Sequence, residues 1–145
     1  MRNADGEGAP LYDGVAMTPL MRVEHALAWI ADDYPAKWLR LVRLCEGAMD
    51  AGWPRIRRGD LFVLAAQQGM DVSLCREFRM DNNLWSVLSR YLIMFRPSLA
   101  GVIFPRWTPE LDEGIDFEAL WHRDVAASTF FRADSWHKAA KRSAA

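Results

Sequence analysis

The chain has 145 residues, 51% hydrophobic and 26% charged, with a mean hydropathy of -0.13 and a formal net charge of -1. This composition excludes a disordered chain, which lacks the apolar surface to offset its ordering entropy, and gives one domain able to bury about two-thirds of its unfolded surface without staples. The near-zero charge is a cancellation: residues 1–34 hold two basic against six acidic side chains, residues 35–108 eleven against six, and residues 109–145 five against seven. Fifteen of the 18 basic residues are arginine, which grips phosphate and carboxylate in a two-pronged geometry and stacks on rings. GC-rich coding alone would give the same bias.

Residues 1–17 read as a flexible leader, because Gly6, Gly8, Pro10 and Gly14 break any periodic pattern. Its polar, Gly-rich start does not resemble a signal peptide. Thr18-Pro19 opens a helix, with Thr18 as N-cap and Pro19 first inside. Leu20, Val23, Leu27 and Ile30 then recur at helical spacing. Pro35 starts a second helix whose apolar face is Trp38, Leu41, Val42, Cys45, Ala48 and Met49. Lys37, Arg40, Arg43 and Asp50 lie outside and Gly52 is the stop. The short link predicts an antiparallel hairpin of these two helices.

A charged connector, Trp53 to Asp60, precedes Leu61 to Gln68. Six consecutive apolar residues there suit strand or helix, and the Ala and Gln content favours helix. A short helix is expected over Leu74 to Met80. A strongly apolar one over Leu84 to Phe95 places Trp85, Leu88, Tyr91, Leu92 and Phe95 inside. Leu99 to Phe104 is strand or helical turn, and Pro105 to Gly114 an acidic loop. Asp116 caps a helix holding Phe117, Leu120, Trp121, Val125 and Phe130. The predicted fold is mostly α, a compact single-domain bundle of five to seven helices over 18–138. It has room for a helix-turn-helix-like unit and at most one short strand pair, with a frayed basic tail over 139–145.

Apolar runs reach five or six residues, against roughly 20 for a membrane span, so no membrane partner is expected. Cys45 and Cys75 read as two buried, reduced thiols and hence a cytoplasmic setting. The three His lack metal-ligand spacing and no CxxC occurs, so neither metal nor cofactor is expected. His122-Arg123-Asp124 spells a kinase catalytic-loop triplet but has none of that family's companion motifs, and no nucleophile has a placed base. The expectation is therefore not an enzyme.

Two binding readings remain. The first is a protein-interaction module, a subunit, adaptor or inhibitor of a larger, nucleic-acid-handling assembly. It would use exposed Trp53, Trp107, Trp121 and Trp136 with Glu110, Asp112 and Glu113, since aromatic anchors dominate binding hot spots. The second is a DNA- or RNA-binding regulator using the Arg-bearing middle. Leu61 to Phe95 reads as three short helices, with Ala65 and Gly69 spaced as where a first helix meets its turn. Arg76 and Arg79 would then lie on a recognition helix, with Arg55, Arg57, Arg58 and Arg90 on phosphates. Trp53 beside these arginines would add a stacking surface. Trp53-Pro54-Arg55 and Phe104-Pro105-Arg106 share an aromatic-Pro-Arg pattern, too short to define a repeat.

Overall fold

The computed structural model describes residues 17–128, 131 and 135–144, and among these there is helix and no strand. Helix α1 (Pro19–Ala31) opens as its sequence predicts: Thr18 Oγ1 accepts the Met21 N–H at 3.1 Å, replacing a backbone partner missing from the first turn. α2 (Ala36–Asp50) ends before Gly52, whose φ of +91° is open to glycine and costly for other residues. α3 (Leu61–Gln67) settles the apolar run as helix, burying Leu61, Leu64 and Ala65.

α4 (Val72–Cys75) is a single turn, continued by a 3-10 turn over 76–78, and Arg79 is already extended. The helix expected over 74–80 is therefore shorter and earlier. α5 (Asn82–Phe95) is capped by Asp81, whose Oδ1 accepts the Leu84 N–H at 2.8 Å. Pro97 then starts a 3-10 turn that ends at Gly101, and 102–108 has no regular structure, so the ambiguous 99–104 is turn and extended chain. α6 (Pro109–Asp112) is one turn inside the expected acidic loop. α7 (Phe117–Asp124) is capped by Asp116, whose Oδ1 accepts the Ala119 N–H at 3.0 Å; Val125 follows it as C-cap, and Phe130 lies outside the described residues. With α8 (Ser135–Ala144), the described residues form six helices of seven residues or more, plus two single turns.

α5 is apolar nearly all round, which places it at the centre. Leu84, Val87, Leu88, Tyr91, Leu92, Ile93 and Met94 are all buried on it. α1 rests mainly on α5 and α7 and touches α2 less, so the expected α1–α2 hairpin is a minor contact. α8 closes the bundle against α5 and the 97–101 turn. Ala139 and Ala140 are fully buried there, so the expected frayed tail does not begin at 139: small side chains let the helix approach closely. Aromatic rings from α2, α5, α7 and α8 meet in one cluster. Tyr91 stands 5.3 Å from both Phe117 and Trp121, and Trp121 stands 5.4 Å from Trp38. The Tyr91 hydroxyl donates to the Phe117 carbonyl at 2.7 Å, and burial pushes its pKa far up.

Lys37, expected outside, is also buried. Its stem lies along the bundle, its ammonium sits 4.2 Å from the Trp29 ring centroid, and it donates to Asp32 at 3.2 Å. No helix among the described residues is long and apolar enough to cross a membrane.

Candidate functional site

The connector between α2 and α3 has no apolar period, so its charged side chains face outward and only Ile56 is buried. The Ile56 N–H donates to the Val102 carbonyl at 2.8 Å, fastening this connector beside the 102–106 segment. That single bond brings together the two aromatic-Pro-Arg stretches. Arg55 lies over the Phe104 ring at 5.6 Å, and Arg106 is added to the cluster.

Between them runs a groove of about 610 Å³. Arg55, Arg57, Arg58 and Gly59 line it from the connector, Phe104, Pro105 and Arg106 from the second segment, and Asn82, Trp85, Ser86 and Ser89 from α5. Those α5 positions are spaced i, i+3, i+4 and i+7, which is one helical face. Among the described residues no Asp or Glu lines the groove. The Arg58 guanidinium donates to Asn82 Oδ1 at 2.8 Å and to the Met80 carbonyl at 3.1 Å, both neutral acceptors. None of the four groove arginines pairs with a carboxylate among the described residues. The carboxylates that do pair hold Arg40, Arg90, Arg96, Arg123 and Lys37 elsewhere. Asp60 sits beside them, accepting the Arg57 backbone N–H at 2.8 Å, but four guanidinium groups free of carboxylate ion pairs among the described residues still favour an anion in this concavity.

A second groove of about 730 Å³ shares Arg58 and Gly59 with the first and adds His25, Phe62, Arg79 and Asp81. Arg79 lies 4.3 Å from the Phe62 ring centroid. Arg76 is exposed and lines neither groove. α4 is too short to serve as a recognition helix, which must present several side chains along a major groove.

Arg90, expected as a phosphate contact, is instead fully buried and cannot be one. Its Nε and Nη2 donate to Asp112 Oδ1 and Oδ2 at 2.8 and 2.9 Å, Nη1 donates to Ser86 O at 2.6 Å, and Nη2 also reaches the Arg106 carbonyl at 2.7 Å. Asp112 is likewise withdrawn from the expected acidic surface, because a buried cation needs its counter-charge. Trp136 is buried and donates from Nε1 to Asp112 at 2.7 Å; Trp121 is fully buried in the ring cluster. The expected interaction surface thus keeps exposed Glu110 and Glu113, and half-buried Trp53 and Trp107, the latter set edge-on to His137 at 5.3 Å. Trp53 packs on the core and does not line the groove.

Sequence reading missed Trp85 and Arg106. Trp85, expected inside, is half-buried in the groove lining. The helical face it shares with Asn82, Ser86 and Ser89 was the available signal. Arg106 was signalled by the repeated aromatic-Pro-Arg pattern. Among the described residues no group of three or more His, Cys, Asp and Glu side chains comes together as a metal-ligand set. No family model matches the chain, and neither a curated protein nor a solved structure is significantly similar to it.

Proposed function

We propose that this chain is a non-enzymatic binding protein that holds a nucleic acid by its phosphate backbone in the Arg55–Arg57–Arg58–Arg106 groove. The supporting observation is the convergence of four arginines with no carboxylate among the groove-lining residues. Exposed Asn82 and half-buried Trp85 in the same lining suit a ligand that carries hydrogen-bonding groups and flat bases. The two free, buried thiols Cys45 and Cys75 fit a reducing, cytoplasmic setting.

The test is titration of fluorescent oligonucleotides at several salt concentrations. Affinity should fall steeply with salt. The double variant Arg57→Ala/Arg106→Ala should weaken binding and reduce the log–log slope by roughly two, one for each phosphate that the two arginines neutralise. Arg58 is kept intact because it also ties the connector to Asn82 and Met80. Absence of binding even at low salt overturns this reading and leaves the acidic segment of a protein partner as the groove's occupant.

A further inference from the structure

Resting on the nucleic-acid reading, we propose that the occupant is a single strand, with one base stacked on Trp85 and the chain continuing across Gly59 into the second groove. Five of the seven tryptophans have a partner ring or cation: Trp29, Trp38, Trp107, Trp121 and Trp136. Trp85 has none among the described residues and is half-buried among arginines, where a base would cover its remaining apolar surface. An aromatic platform flanked by backbone-binding arginines is what an unpaired strand needs, because its bases are free to stack. In a duplex the bases already stack on one another, and a reader must send a helix or ribbon into the groove. The described residues offer no such element here, since α4 is one turn long.

Gly59 supplies the second, independent observation. It borders both grooves, and a Cβ placed on it would meet nothing within 4 Å. Gly59 is exposed, so the surface between the two grooves leaves room for a strand to cross there, and its backbone would accept a side chain. Beyond it, Arg79 and half-buried Phe62 repeat the pairing of cation and ring.

Binding of labelled single-stranded oligo-dT, three and eight nucleotides long, is compared with binding of a duplex by fluorescence anisotropy. The single strand should bind more tightly than the duplex, and the eight-mer more tightly than the three-mer. Trp85→Leu should weaken single-strand binding about ten-fold with its salt slope unchanged, and Trp85→Phe should restore most of it. Gly59→Leu should reduce the advantage of the eight-mer over the three-mer. If duplex and single strand bind alike and Trp85→Leu changes nothing, the inference is overturned and the nucleic-acid reading stands. If neither binds at low salt, the nucleic-acid reading itself falls. An eight-mer advantage that Gly59→Leu leaves undiminished removes the path between the grooves.

Discussion

Asp112→Asn probes the polar centre of the bundle at a single atom. The carboxylate accepts from Arg90 Nε at 2.8 Å and Trp136 Nε1 at 2.7 Å on one oxygen. It accepts from Arg90 Nη2 at 2.9 Å and the Thr108 N–H at 2.7 Å on the other. Asparagine keeps the shape but has one NH₂ group, and either orientation sets that group against two donors. It also leaves Arg90 charged and without its partner, with both side chains of the pair fully buried. Removing one member of a buried pair costs about 3–5 kcal/mol. With a urea dependence of about 2 kcal/mol/M, the unfolding midpoint should fall by about 2 M. Tryptophan fluorescence follows the transition. A shift under about 0.5 M would refute the claim that Arg90 depends on this carboxylate. Replacing both partners, as Arg90→Met/Asp112→Leu, should cost less than the two single changes added together.

The same group sets an acid limb to stability. Burial alone would raise the Asp112 pKa, but hydrogen bonds from Arg90, Thr108 and Trp136, with the charge of Arg90, hold it below the ordinary value of 3.8. A carboxylate depressed in the folded state contributes its full share above pH 3.8. The share shrinks as pH falls toward the folded-state value, where both states become protonated. Stability of the native chain should therefore drop with acidification below about pH 3.8, and Asp112→Asn should lose that part of the slope. Burial, aided by the charge of Glu46, pushes the Cys45 thiol up to about 12, so a thiol reagent at pH 8 should modify it only as fast as the chain opens. Prompt labelling of the native protein at Cys45 would refute this. Gly52→Ala should lose about 1–2 kcal/mol from its positive φ alone, since its added methyl meets no neighbour, whereas Gly59→Ala should be neutral or gain up to about 1 kcal/mol. Thermal melts of the two variants distinguish these signs.

The helices were legible where a local signal sets them. Thr18, Asp81 and Asp116 cap through side chains three residues from their donors, and Gly52 marks a stop within one turn. The partnership of Arg90 with Asp112 spans 22 residues and leaves no periodic trace, so a core arginine looked like a surface one. Lys37 was misplaced for a related reason, since its burial depends on Trp29 arriving from another helix. The arginines of 55–58 were readable as a cluster because a connector without apolar spacing has no buried face to offer them. That they meet Arg106 depended on one backbone bond between Ile56 and Val102, which no spacing rule anticipates.

A net charge of -1 would ordinarily weigh against a binder of polyanions. The distribution of ion pairs removes that objection. Asp112 neutralises Arg90 inside the bundle, Glu77 holds Arg40, Glu46 holds Arg96, and Glu24 with Asp124 holds Arg123. None of these carboxylates lines the groove, so the cancellation is global while the groove field is local. Screening over roughly 8 Å at physiological salt keeps distant acids from offsetting four arginines that touch a ligand. Arg90 bears on the groove in a second way. Its Nη2 holds the Arg106 carbonyl and its Nη1 holds Ser86, fixing two segments that line the groove. The arginine that cannot touch a phosphate thus positions one that can, and Asp112→Asn should weaken oligonucleotide binding under conditions where the variant remains folded.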